Sequence, residues 1–410
     1  MPAVEVTVSV DIPEGETVAE LERRVAAELR RAGKELLVRA VRAVEDEVAG
    51  RQRCYRDRRR TLDLLTSFGW VRLDRWYVRD RQTGPYGYLV EVGARQEHAT
   101  PLVVDWAVAL ATRLPYRQAA QLLGRLLDEE IDHRTLYDWV KKEGQVLVEE
   151  EGSLQASVFE DGVVPPRDDG ERELVVAVVD GTYLKAQREG QPSFEVRIGV
   201  AYSGRELAST TARHRRYRLR ERHLYAGVDT AQDFAERFYL SCEQRLALSR
   251  ARHLLVVGDG ADWIESLAGH ERYKATYQLD HWHIIEHARR VFGARPQVVN
   301  DIARALHEGD TRRVLRIVTV ARLAAEADAG QLRQYEAYLR SNLHGIHGAR
   351  RLRTQLTPEA QLAAVEGSGA VEKQGDLLVS RRFEHAGMRW TKAGANRLLK
   401  LRLRELVRAA

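Results

Sequence analysis

Two aspartates stand at matching places in this chain. The run LVVAVV (residues 174–179) leads into Asp180 within VVDGTYLK, and LLVVG (residues 254–258) leads into Asp259 within VVGDGADWI. Unbroken apolar runs of this length are the pattern of strands buried on both faces, so both acids are predicted at strand ends, where neighbouring strands can bring them to one sheet edge. Carboxylates held together repel and are desolvated, and a divalent cation is the natural way to keep both ionised. Two oxygen-ligated ions about 3.5–4 Å apart serve in-line displacement at phosphorus, activating the attacking oxygen and stabilising the leaving one. Hard Mg2+ suits such a site better than Zn2+, with Mn2+ as its substitute. Asp-Gly is also a common turn dipeptide; a single instance reads as a turn, whereas two in the same context predict a site. A third carboxylate has four candidates late in the chain, Glu366, Glu372, Asp376 and Glu384, and spacing does not choose among them.

Further residues bear on this chemistry. His281, His283 and His287 follow Asp280, and the last two lie four apart on one helix face, as a zinc pair does. No cysteine lies near them and no H-E-x-x-H arrangement is present, so at least one of these histidines is expected to be structural. The segment RHRRYRLRERH (residues 213–223) holds six arginines, two histidines and Tyr217. Such a cluster attracts phosphate electrostatically, and arginine can also stack on aromatic faces or bind phosphate bidentately, which makes Arg213, Arg215, Arg216 and Arg218 candidate DNA contacts, with a solvated loop as the alternative. Arg381 and Arg382 are further phosphate candidates. Lys392, Arg397, Lys400, Arg402, Arg404 and Arg408 make a basic C-terminal helix that Leu398, Leu399, Leu403 and Leu406 would pack onto the core.

The elements that must position these residues follow from periodicity. Residues 1–59 are a helical region, with apolar stripes over 17–49 and Gly33 between them as the expected point of a break or bend. Aromatic and β-branched residues mark a small β unit over 60–98. Residues 99–159 read as three helices, with Pro115 opening the second and Asp132 capping the third, in the manner of a helix-turn-helix. There the third helix, HRTLYDWVKKEG, buries Leu136 and Val140 and offers Arg134, Tyr137, Lys141 and Lys142 to a DNA groove; a plain helical bundle is the alternative. Residues 160–173 carry two prolines and turn formers and read as a linker and domain boundary. Residues 174–296 give strand, strand (194–202), strand (206–212), helix, strand, helix, strand, helix, the order of an α/β ribonuclease-H-like core. Residues 297–365 form a large α-helical insertion, and 366–410 supply the final core helix and the basic C-terminal helix.

Composition agrees with a folded protein of several domains. The 410 residues are 44% hydrophobic and 30% charged, and 65 Lys and Arg against 60 Asp and Glu leave a formal charge of +5, which permits nucleic-acid binding without demanding it. Cys54 and Cys242 alone exclude a disulfide framework and a cysteine zinc site and fit a reducing cytoplasm. The N-terminus has no secretion signal pattern and no run of about 18 apolar residues is present, so no membrane partner is expected.

The segments VVDGTYLK with FEVRIGVAYSG, GDGADWI, YQLDHWHIIEHARR and VEKQGDLLVSRRFEHAGMRWTKAGANRLLKLR resemble the blocks of ISLre-type bacterial insertion-sequence transposases, relatives of the Mutator-like DDE group. The resemblance runs from about residue 60 to the C-terminus and is most specific in the last block. It implies Glu372, the acid opening that block, as the third catalytic and metal-binding residue beside Asp180 and Asp259, and a helical insertion between the second acid and the third. Asp280 and His283 match the D-x-x-H pattern of Mutator-like enzymes, which implies an auxiliary role. Lys373 and Gln374 depart from the small polar residues that relatives often carry there. The resemblance thus implies a DDE transposase, nucleoid-associated in the cytoplasm, that uses two Mg2+ or Mn2+ ions to hydrolyse a phosphodiester at double-stranded terminal inverted repeats and join the end to target DNA, as a homodimer or higher oligomer. The alternatives are a transposase-derived DNA-binding regulator and a ribonuclease-H-like nuclease without strand transfer.

Overall fold

The computed structural model describes residues 3–51, 54–80, 86–91, 93, 96, 98–187, 190, 192–210, 215–324, 328–384 and 387–408. They form a mixed α/β structure that divides into two compact units, residues 1–143 and 144–410. No helix among the described residues is long and apolar enough to cross a membrane.

In the first unit, helix α1 (Val18–Arg51) lies against a three-stranded antiparallel sheet of β1 (Cys54–Thr66), β2 (Gly69–Asp80) and β3 (Tyr86–Tyr88). Leu37, Val38 and Val41 of the helix pack on Leu64, Val71 and Leu73 of the hairpin. Gly33 does not interrupt α1. It is there because a side chain has no room: a Cβ would lie 2.5 Å from the Phe68 ring at the β1–β2 turn. Helices α2 (Pro101–Ala111) and α3 (Tyr116–Leu127) follow, opened by Pro101 and by Pro115. Helix α4 (His133–Phe159) begins where Asp132 accepts a hydrogen bond from the Arg134 N–H at 2.8 Å. Leu136 and Val140 are buried as their spacing required, but α4 is a 27-residue helix and not the short third helix expected.

The second unit is built on a five-stranded sheet in the order β10-β9-β4-β5-β8, formed by β4 (Leu174–Lys185), β5 (Ser193–Tyr202), β8 (His223–Gly227), β9 (His253–Gly258) and β10 (Thr276–Leu279). Strand β5 runs antiparallel to β4 and β8, whereas β4, β9 and β10 are mutually parallel. The strand expected over 206–212, of which 211 and 212 lie outside the described residues, is not the third strand of this sheet. Residues 206–210 fall in β6 (Gly204–Thr210), which pairs with β7 (Arg215–Arg220) in a separate two-stranded ribbon, and β8 takes the third place. The reason is burial: β6 is exposed over most of its length, while the short HLYAG strand, hidden in sequence behind the arginines, buries Leu224, Tyr225 and Ala226.

One face of the sheet is covered by α5 (Ala231–Leu246), α6 (Asp262–Gly269) and α7 (His281–Phe292), with Phe234, Phe238 and Ile264 in one core with Val175, Ala177, Val179 and Val256. The same core continues into the helical region α8 (Pro296–Glu308), α9 (Thr311–Leu323) and α10 (Ala329–Ser341). Short helices α11 (Gly348–Arg353) and α12 (Pro358–Ala363) lead to a helix in three parts: α13 (Gly369–Gly375), a π-helical turn over Asp376–Ser380, and α14 (Arg381–Phe383). Helix α13 packs on β4 and β5, and the C-terminal α15 (Lys392–Arg408) packs on β8.

Much of the charge of the basic helix α15 is spent internally. Lys400 is buried, 2.8 Å from a Glu151 oxygen and donating to the Tyr225 hydroxyl at 2.7 Å, and Arg397 donates to Gln145 at 2.6 Å. Arg402 is buried and donates to the Leu377 carbonyl at 3.1 Å. Leu398, Leu399 and Leu403 alternate with these cations in sequence, so on one crowded helix the cations are drawn into the interior with them.

Candidate active site

Parallel pairing of β4 with β9 sets Val178 opposite Val257, and two residues further along the same faces come Asp180 and Asp259. Strand β10 then pairs Leu279 with Gly258, so Asp280 emerges from the same sheet edge, its N–H donating to the Gly258 carbonyl at 2.8 Å. Asp259 and Asp280 thus follow the carboxyl ends of β9 and β10, but Asp180 is not at a strand end as expected: β4 continues to Lys185 because it stays paired with β5, and Asp180 stands where the parallel pairing with β9 stops. Asp280 is fully buried and caps α7, accepting from the Trp282 N–H at 2.8 Å. That cap starts the helix so that His283, one turn in, returns to the sheet edge: ligand atoms of Asp180, Asp259 and His283 all lie within 4.8 Å of one another.

The electrostatics are those of a crowded anionic site. The Asp180 carboxyl is pushed up to about 6, by burial first, against a hydrogen bond from the Gly181 N–H at 2.8 Å; the negative charges of Asp259 and Glu372 raise it further and His283 lowers it. Asp259 accepts from the Ala261 N–H at 3.0 Å. The Asp280 Oδ2 and His283 Nε2 atoms are 3.8 Å apart, and both are buried without a hydrogen-bond partner. Buried polar atoms left open are costly and call for a ligand. Two carboxylates and an imidazole are a donor set that suits a divalent cation.

Glu372 lies beyond the three converging groups. It is exposed on α13, accepts from the Ser368 hydroxyl at 3.1 Å, and acts on Asp180 through its charge. Its helix lies over the strand pair that carries Asp180: a Cβ on Gly375, one turn beyond Glu372, would stand 3.6 Å from Ile198, the register partner of Asp180. The π-helical turn follows directly, and such turns recur at functional sites because they re-aim side chains. Of the other late acids, Glu366 is 3.0 Å from Arg353 and Asp376 is 2.9 Å from Arg381, while Glu384 stays exposed.

The histidines separate into distinct roles. His281 Nε2 sits 2.6 Å from the Ile346 carbonyl, with its other nitrogen 3.6 Å from Glu366. The His287 ring lies 4.7 Å from the Tyr338 ring, and burial and then Arg290 depress its protonation. Among the described residues, His283 alone of the three joins the aspartates in a group that could hold a metal ion. Tyr338 has a part that periodicity did not reveal. From α10 its hydroxyl donates to the Asp259 carbonyl at 2.7 Å, and a Cβ on Gly260, itself at φ +98°, would lie 2.8 Å from its ring. In sequence Tyr338 was one apolar-spaced residue among many.

The cationic candidates are also sorted. Arg134, Lys141 and Lys142 are exposed on α4. Arg216 and Arg218 are exposed on β7; Arg215 lies on the same strand, and Arg213 falls outside the described residues. Arg381 is exposed beside Asp376. Arg382 is buried over the Trp390 ring at 5.3 Å and does not face a phosphate, because the helix turn that exposes Arg381 carries the next residue inward.

A family model described as "Uncharacterised protein family (UPF0236)" matches residues 12–407. One UPF0236 protein of Caldanaerobacter subterraneus subsp. tengcongensis is 23% identical over 352 residues, covering 81% of this chain and 68% of its own length, and its name joins eleven locus designations. A second from the same strain is 23% identical over 350 residues, covering 81% and 69%. A solved structure described as "Drosophila P element transposase strand transfer complex" aligns with 77% of this chain and 81% of that one at 13% identity, with a TM-score of 0.24, too low to show a common fold.

Proposed function

The chain belongs to the UPF0236 family, and from the chemistry of its site we propose that it is a DDE-type DNA transposase of the ISLre kind, a metal-dependent polynucleotidyl transferase with Asp180, Asp259 and Glu372 as its acids. The observation that carries this reading is the convergence of Asp180 from within β4, Asp259 from just after the neighbouring parallel strand β9, and His283 from the helix after β10. The sheet supports it. In chain order its strands lie third, second, first, fourth and fifth, with only the second antiparallel, as expected of a ribonuclease-H-like core. One relative's name spans eleven loci of a single strain, and a coding sequence repeated through a genome is what a mobile DNA segment leaves behind.

Asp180 and Asp259 would hold Mg2+ or Mn2+, with His283 beside them and Glu372 completing the shell from α13. Bound cations would activate the attacking oxygen and stabilise charge at phosphorus. The protein offers no covalent nucleophile in this scheme. Asp280 positions His283 by starting α7, Tyr338 holds the Asp259 backbone, and exposed cations of α4 bind double-stranded ends and target. The same acids then serve hydrolysis and the joining of the freed 3′ hydroxyl.

The test is cleavage and strand transfer on DNA carrying the element's own ends, with Mg2+ or Mn2+, comparing wild type with Asp180→Asn, Asp259→Asn and Glu372→Gln. All three variants are expected to lose activity by at least a hundredfold, on the order of several kcal/mol of transition-state stabilisation, while retaining DNA binding. Cleavage without joining would make the protein a nuclease, and metal-independent binding without cleavage would make it a regulator.

A further inference from the structure

Beside the acids lies a groove of about 1160 Å³ that the catalytic reading leaves unused. One wall is the β6–β7 ribbon, the other the start of α13 and the loop before it. Six cationic residues line it, Arg205, Arg216, Arg218, Arg222, Arg353 and Lys373, against one acid, Glu366, which Arg353 already holds at 3.0 Å. Among the described residues no carboxylate lies within 4.0 Å of Arg205, Arg216, Arg222 or Lys373 to form an ion pair. Arg218 has Glu206 at 4.0 Å, and the groove is left with an excess of positive charge from the other four.

Its position relates it to the acids. Lys373, on its α13 wall, is the neighbour of Glu372 in sequence, and at the loop a Cβ on Gly367 would stand 3.5 Å from Asp280 Oδ1. The groove thus runs along the acid-bearing helix up to the residue that caps α7 ahead of His283. Within it the Arg205 guanidinium lies 4.0 Å from the centre of the half-buried Tyr217 ring. Together they make a cationic aromatic plate. In a duplex the base faces are already stacked on one another, so only an unpaired base can use such a plate, whereas a charged wall alone would accept any polyanion.

We propose that this groove binds one unpaired DNA strand, its phosphates along the cations and a base stacked at Tyr217, beside the site where the strand is cut or joined. The inference rests on the transposase reading and adds the form of DNA held next to the acids. Arg216 and Arg218 engage the backbone and Tyr217 engages the base. Duplex bound elsewhere on the protein does not depend on Tyr217.

The test uses the full chain in EDTA, which prevents cleavage, with a fluorescein-labelled single strand of mixed sequence and the same sequence as a duplex, followed by anisotropy over a range of salt. Tyr217→Ala is expected to weaken single-strand binding roughly tenfold and to leave duplex binding within about twofold. Arg216→Gln with Arg218→Gln should reduce the slope of log affinity against log salt by about 1.4 for the single strand. Circular dichroism of each variant establishes that the fold is kept, and Tyr217→Trp should restore binding. Equal loss on both DNA forms, an unchanged salt slope, or equal competition by polyglutamate would overturn the proposal. Cleavage with metal, measured on the same variants, separates the two readings: active protein indifferent to Tyr217→Ala sinks the groove alone, and inactive protein that still prefers the single strand through Tyr217 sinks the catalytic reading alone.

Discussion

At the scale of single residues, Asp180 shows what placing a carboxyl at a sheet edge among other acids costs. Its ordinary value of 3.8 is raised to about 6, by burial before anything else. Between those values the folded chain holds a proton that the unfolded chain has released, so stability falls as pH rises through this window. Above it the ionised group costs the metal-free fold roughly 3 kcal/mol. Asp180→Asn keeps the shape and can still accept from the Gly181 N–H, but carries no charge. In EDTA the variant is expected to be more stable than wild type at pH 7.5 by on the order of 2–3 kcal/mol, and the two should converge near pH 4. Urea unfolding at both pH values checks this; an equal pH dependence in the two proteins would show that Asp180 is not the strained group. The two aspartates stood out in sequence because each follows a buried apolar run, although only β9 ends there and β4 continues past Asp180 to Lys185. The role of His283 as against His281 was not legible, since neighbours on one helix differ only in what the fold sets opposite them.

At the scale of elements, close approach decides more than propensity. Glycine in a helix interior costs about 1 kcal/mol relative to alanine, so on propensity Gly33→Ala should stabilise α1. The Phe68 ring, which would lie 2.5 Å from the new Cβ, reverses the sign. The variant is expected to lose about 1–3 kcal/mol by overpacking, and Phe68→Ala in the same chain should make the alanine favourable. Thermal unfolding of the single and double variants measures the coupling. The same principle explains the ribbon. Strand periodicity was visible over residues 206–212, but whether a strand enters the central sheet depends on which segment can bury its side chains there, and β8 does so with three apolar residues. The buried cations of α15 follow likewise: the helix was evident from its leucines, and only the opposing Glu151 and Tyr225 draw Lys400 inward.

At the scale of the whole molecule, two compact units imply two cores and two cooperative unfolding events. The groups proposed to bind metal all belong to the second unit. Calorimetry in Mn2+ at 100 times its dissociation constant should therefore stabilise one transition by about 2.7 kcal/mol and leave the other in place, with Asp180→Asn abolishing the shift. A shift of both transitions together would mean that the chain unfolds as one body. By itself the sequence determined the features that depend on local pattern: the buried strand segments that lead into Asp180 and Asp259, the helical character of the described residues within 297–365, and the membership of Glu372 in a late helical block. These survive because burial and hydrogen bonding impose period 2 or 3.6 on a segment wherever it ends up. Tertiary structure alone decided which histidine meets the aspartates, that Tyr338 reaches Asp259 from the helical region, which arginines face solvent, and that a cationic groove borders α13. Each of these is a meeting of residues far apart in the chain, fixed by strand register and helix packing, and no local pattern records it.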